Sequence, residues 1–115
     1  MSETRHPALS GPALPGGQQG DHLMSVLLDV AAERGRQDAK WGADRDYPHG
    51  MWALILGEEY GEACEAVLEI DEFNPGPGLT ELRAELVQVA AVAVAWIEAI
   101  DGGRAWLAAK GERDE

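Results

Sequence analysis

Ile55-Leu56-Gly57-Glu58-Glu59-Tyr60-Gly61-Glu62-Ala63-Cys64-Glu65-Ala66-Val67-Leu68-Glu69-Ile70 is the stretch on which the fold turns. Ile55, Glu59, Glu62, Ala66 and Ile70 recur at i, i+4, i+7, i+11 and i+15, the spacing of one face of an α-helix. Two of the five positions on that core-facing stripe are glutamates. Glu58, Glu65 and Glu69 fall on its flank, where water can reach them. Burying an unpaired carboxylate costs several kcal/mol, so acids on such a stripe require a partner.

Outward from this stretch, the helix begins near Pro48 to Met51 and ends before the breaker-rich Asn74-Pro75-Gly76-Pro77-Gly78. A third helix is expected from an N-cap at Thr80 to Asp101-Gly102-Gly103. Its own stripe is Leu82, Glu85, Val89, Val92 and Trp96, with Glu81 and Gln88 beside Glu85. Upstream, Leu23, Val26, Leu27, Val30 and Ala31 mark a first helix from an Asp21 N-cap to about Lys40, closed by Trp41-Gly42. Ala43 to Gly50 reads as a connecting loop, and Arg104 to Lys110 as a short fourth helix that docks Trp106 and Leu107.

Pro7, Pro12, Pro15 and a scarcity of large apolar residues make residues 1–20 a disordered tail, leaving one helical domain over 21–111. No alternating strand pattern of useful length occurs, so the class is all-α: a small bundle of three main helices plus the short C-terminal one. Between Val87 and Ile97 the third helix is apolar at every position except Gln88. A helix apolar all round must be covered all round, and a domain of roughly 90 residues buries only about two-thirds of its unfolded surface. Oligomerisation, to a homodimer or homotetramer, is expected to complete the bundle.

The 115 residues carry 9 Lys and Arg against 21 Asp and Glu, a net charge of −12 that works against nucleic-acid binding. Cys64 is the only cysteine, which excludes an internal disulfide and a multi-cysteine zinc site, and suits a reducing, cytoplasmic setting. The most apolar stretch, Leu86 to Ile100, includes Gln88 and Glu98 and is shorter than the roughly 20 residues a bilayer requires. A soluble protein with no membrane partner is expected.

The acidic positions suit a hard divalent cation. Carboxylate and amide oxygens favour Mg²⁺, with Mn²⁺ as the other candidate. His6, His22 and His49 lie outside the acidic segments, so the Glu-x-x-His motif of di-iron bundles is missing and iron and zinc are disfavoured. If the 74–78 loop folds the two helices antiparallel, Glu59 and Glu62 reach the level of Glu85 and Gln88 only with a bend or crossing angle, or with help from a second subunit. The plainer alternative pairs these glutamates with Arg34, Lys40 or Arg83, but the cations are too few for the acids. Arg36 and Lys40, at i and i+4, suit phosphate, and Trp41 suits stacking on a base. Each also has an ordinary reading as a solvated charge or a packed helix end.

Glu58-Glu59-Tyr60-Gly61-Glu62 resembles the E-E-x-x-E element of the MazG-like all-α nucleotide pyrophosphohydrolases, and Glu85-Leu86-Val87-Gln88 stands where that family carries E-x-x-D. The segment Glu33 to Gly42, with Arg36-Gln37 and Lys40-Trp41-Gly42, and the run Glu81 to Ala90 are similar to the phage and actinobacterial branch of that family. The resemblance covers about Leu27 to Asp101. It implies Mg²⁺-dependent hydrolysis of a nucleoside triphosphate between the α and β phosphates, giving a monophosphate and pyrophosphate. It implies Glu59, Glu62 and Glu85 as metal ligands, with Gln88 at the fourth ligand position and Glu58 as a further ligand or the group that orients the attacking water. A Gln amide oxygen can coordinate Mg²⁺ but brings no charge. Two other expectations therefore stand beside the enzyme: a catalytically weakened nucleotide- and metal-binding regulatory module, and a purely structural helical oligomer.

Overall fold

A computed structural model describes residues 17–107. Three helices follow one another: α1, Gly17–Trp41; α2, His49–Leu68; and α3, Gly76–Asp101. Among the described residues there is no strand, and the chain is all-α. α3 is the central element and packs against both α1 and α2. No helix among the described residues is long and apolar enough to cross a membrane. Residues 1–16 of the expected tail and 108–110 of the expected fourth helix lie outside the described residues.

Two boundaries depart from expectation at the N-termini. α1 starts at Gly17, so Asp21 sits within the helix rather than capping it. α3 starts at Gly76, one turn before Thr80, with Pro75 at the N-cap and a proline in the first turn. Proline is tolerated there because the first turn leaves its N–H groups unbonded in any case and the ring presets φ. Thr80 is an interior residue whose Oγ1 donates 3.1 Å to the Gly76 carbonyl. Gly78 is needed for close approach: a Cβ there would lie 3.0 Å from the Ile70 backbone at the end of α2.

The fourth helix is not formed over residues 104–107. Gly103 adopts φ +74°, which a glycine takes without strain, and turns the chain back. Arg104 and Ala105 then donate their N–H groups to the Ala99 carbonyl at 2.7 and 3.2 Å. The segment lies extended against the start of α2, where His49 N–H donates 2.6 Å to the Trp106 carbonyl. Trp106 docks as expected, its Nε1 donating to the Asp46 carbonyl, but Leu107 is exposed.

Of the expected stripes, Val30, Ala66 and Val92 are buried, while Leu27 and Ala31 of α1 are exposed; the rest of the core comes from residues outside those stripes. Trp52 on α2 clusters with Val92, Ala95 and Ala99 on α3, flanked by Tyr47, Ile55, Leu56, Trp96 and Ala105. Ala63 and Ala66 of α2 and Ala91 of α3 are buried as well. α1 contributes Val30 and a set of charges: Asp29 pairs with Arg83 at 2.8 Å, and Arg34 is held by Asp38 and by Glu98 of α3. On the far side of α3, Leu86, Ile97 and Ile100 remain about half exposed at 49, 56 and 52%.

Candidate metal centre

α2 and α3 run antiparallel: Ile70 meets Gly78 at one end, Glu62 lies beside Glu85 in the middle, and Trp52 meets the Ala95 and Ala99 region at the other. Because α3 begins at Gly76, Glu85 lies about 13 Å along it, close to the level of Glu62, about 9 Å before the end of α2. One chain therefore assembles the acidic group without a second subunit. One carboxylate oxygen from each of Glu59, Glu62 and Glu85 lies within 4.8 Å of the other two. Oxygens around a single Mg²⁺ are separated by about 3 to 4 Å, so modest side-chain rotation brings these three into one coordination sphere.

The cluster carries unmet demand for a cation. Glu59 Oε1 and Glu85 Oε1 are both buried and neither has a hydrogen-bond partner. Burial pushes the Glu59 carboxyl above the usual carboxylate range, and the charges of Glu62, Glu33 and Glu58 push it further, with Lys40 offsetting part. Glu85 is raised in the same way, first by burial and then by Glu62, Glu81 and Glu59. Like charges gathered in a partly dry place disfavour their own ionisation. A divalent cation relieves all of these costs at once. Glu65, Glu69 and Glu81 ring an acidic hollow beside Glu62 and Glu85.

On the α1 side, a cavity of about 190 Å³ opens next to the carboxylates. Glu58 and Glu59 form one wall, and Trp41, Tyr47, Trp52 and Gln37 form much of the rest. Trp41 is exposed at its rim with Lys40 Nζ 4.6 Å over its ring. Arg45 fastens the loop beneath: its guanidinium donates 2.8 Å to the Gly42 carbonyl and 3.3 Å to that of Gln37, and lies 5.5 Å over the Trp52 ring. This satisfies carbonyls at the end of α1 while building an aromatic wall.

Gln88 and Arg36 are placed elsewhere. Both line a second cleft, between α1 and α3, with Asp29, Glu33 and Arg83. Arg36 is spent on Glu33, with a 2.8 Å contact. His49, which offered nothing as a ligand, accepts 3.0 Å from Trp96 Nε1 through Nδ1 and serves the core. Sequence reading missed Gln37, Arg45, Tyr47 and Trp52 as site residues. The i, i+4, i+8 spacing of Glu33, Gln37 and Trp41 would have placed the first of these on the Trp41 face. No protein family, curated protein or solved structure matches the chain.

Proposed function

We propose that the chain is a Mg²⁺-dependent nucleoside triphosphate pyrophosphohydrolase of the MazG-like type, releasing a nucleoside monophosphate and pyrophosphate. The observation that carries the reading is the meeting of Glu59, Glu62 and Glu85 within 4.8 Å, two of them with buried oxygens that lack partners. Those three residues would hold Mg²⁺, or Mn²⁺, through oxygens that suit either ion. A bound divalent ion supplies charge neutralisation at the phosphoryl oxygens and a lowered pKa for water.

The remaining roles follow from position. Glu58 shares the cavity wall with Glu59, where its carboxylate accepts a hydrogen bond from the attacking water and orients it toward the α phosphorus. The water oxygen bonds to that phosphorus, the bond to the α–β bridging oxygen breaks, pyrophosphate leaves with the bonding electron pair, and the proton of the attacking water is released to solvent. Trp41 and the aromatic wall take the base, since stacking tolerates any ring. Lys40 stands at the rim, available to the phosphate chain, while Arg36, paired with Glu33 in the neighbouring cleft, is given no part in it. The net charge of −12 argues against a nucleic-acid partner. The half-exposed Leu86, Ile97 and Ile100 of α3 support a homodimer or homotetramer that covers this face.

A catalytically weakened nucleotide- and metal-binding regulatory module is the second reading, favoured by one observation: the carboxylate group has three members, and Gln88, neutral, lines the α1–α3 cleft instead of joining it. Incubation with a nucleotide panel and Mg²⁺ separates the two. The hydrolase releases pyrophosphate and loses this with Glu62→Gln; the regulatory module binds metal and nucleotide without turnover of any member of the panel.

A further inference from the structure

Gln37 is the one buried polar residue of the described chain, 4% exposed, and it lines the aromatic cavity. Its amide has a defined orientation. Glu33, one turn earlier on α1, offers only acceptor oxygens, and Gln37 Nε2 donates to Glu33 Oε2 at 3.4 Å. Arg36 holds the other Glu33 oxygen at 2.8 Å, so the carboxylate is fixed from both sides. The Gln37 carbonyl oxygen is thereby turned away from Glu33, and it is buried with no hydrogen-bond partner. Trp52, 2% exposed on the same cavity, likewise has its indole N–H buried and unpartnered. A native fold seldom leaves one such atom unmet, and here the two side chains that carry an unmet acceptor and an unmet donor line one aromatic-walled space. A ligand that supplies a donor and an acceptor on one planar edge satisfies both.

We infer that Gln37 selects the nucleotide by its base: the cavity takes a base with an exocyclic amino group beside a ring nitrogen acceptor, as in cytosine and adenine. The amino group donates to Gln37 Oε1, and the ring nitrogen accepts from Trp52 Nε1–H. The oxo counterparts, uracil and hypoxanthine, reverse both polarities: a carbonyl oxygen faces the Gln37 oxygen and a ring N–H faces the indole N–H. A site built to hydrogen-bond a particular group rejects the analogue that cannot make the bond, because its own buried polar atoms then stay unpaired. Glu33 is a positioning residue, acting only through the amide it orients. The inference rests on the reading of this site as a nucleotide site, and it adds the class of base.

Product monophosphates test it without turnover. Binding of dCMP against dUMP, and of dAMP against dIMP, is followed by quenching of tryptophan fluorescence in the full chain with Mg²⁺ present. The amino member of at least one pair is expected to bind about 10-fold tighter or more. A preference in the cytosine pair alone or the adenine pair alone identifies the ring that fits. Gln37→Leu, checked for helical content by circular dichroism, is expected to bring the ratio close to one by weakening the amino nucleotide. Equal binding within both pairs, a preference for the oxo members, or an unchanged ratio in Gln37→Leu overturns the inference while leaving the nucleotide site in place. Binding of none of the four overturns the nucleotide reading itself, and this inference with it. Should Gln37→Leu fail to fold, the two wild-type ratios decide.

Discussion

Replacing Glu59 by Gln removes one charge from the carboxylate cluster while keeping the side chain's size and its place on α2. In the metal-free protein Glu59 faces Glu62 and Glu85 with oxygens within 4.8 Å. Two unit charges at that separation repel by about 1 kcal/mol even in a water-like dielectric, so the substitution relieves about 1 to 2 kcal/mol. A domain of this size shifts its melting midpoint by about 4 to 8 °C per kcal/mol, and metal-free Glu59→Gln is expected to melt at least about 4 °C above the wild type. Saturating Mg²⁺ reverses the order. A ligand at 100 times its Kd adds about 2.7 kcal/mol to the native state, which lifts the wild type by about 10 °C or more and the variant far less. Thermal melts by circular dichroism in EDTA and in Mg²⁺ give all four midpoints. If the variant melts lower without metal, or Mg²⁺ lifts both proteins equally, the three carboxylates are not a cation site.

Four further outcomes follow from the same structure. The raised Glu59 and Glu85 carboxyls hold their protons more tightly folded than unfolded, so the metal-free protein gains stability as pH falls from neutral through their folded pKa values toward the ordinary carboxylate pKa. Mg²⁺ abolishes that gain, and urea titrations across this pH window read both effects. Trp41→Ala, at an exposed position, should weaken nucleotide binding by about 1 to 3 kcal/mol with little change in melting, as titration calorimetry and melts will show. Arg34→Ala breaks the contact to Glu98 that ties α1 to α3, together with the one to Asp38 within α1, and should cost about 1 to 3 kcal/mol in denaturant unfolding. Ile97→Glu puts a charge on the half-exposed face of α3; light scattering is expected to find the wild type a dimer or tetramer and the variant a monomer.

The three helices and their buried faces were legible because period-3.6 stripes survive even where glutamate replaces leucine. Their ends were less so. Pro75 and Pro77 read as breakers, yet a first turn leaves its N–H groups unbonded, and Thr80, an attractive cap by type, became an interior residue. That single turn also hid the register that sets Glu62 beside Glu85. The final segment resembled a helix by composition, but Gly103 and the pairing of Trp106 with the start of α2 draw it out straight. In the site, spacing put Glu59, Glu62 and Glu85 on core-facing stripes, and the motif resemblance singled them out as ligands. Gln37, Tyr47 and Trp52 were not legible, because they converge only when the α1–α2 loop folds back over Trp52, held by Arg45.

We propose that these carboxylates support cleavage between the α and β phosphates of a nucleotide. Phosphorus NMR of the protein incubated with nucleoside triphosphates and Mg²⁺ tests it most directly, since pyrophosphate and orthophosphate give separate signals. Monophosphate and pyrophosphate should appear together in equal amounts, and neither should form with EDTA or with Glu62→Gln. Orthophosphate with a diphosphate, or unchanged triphosphate across the panel, would contradict the account.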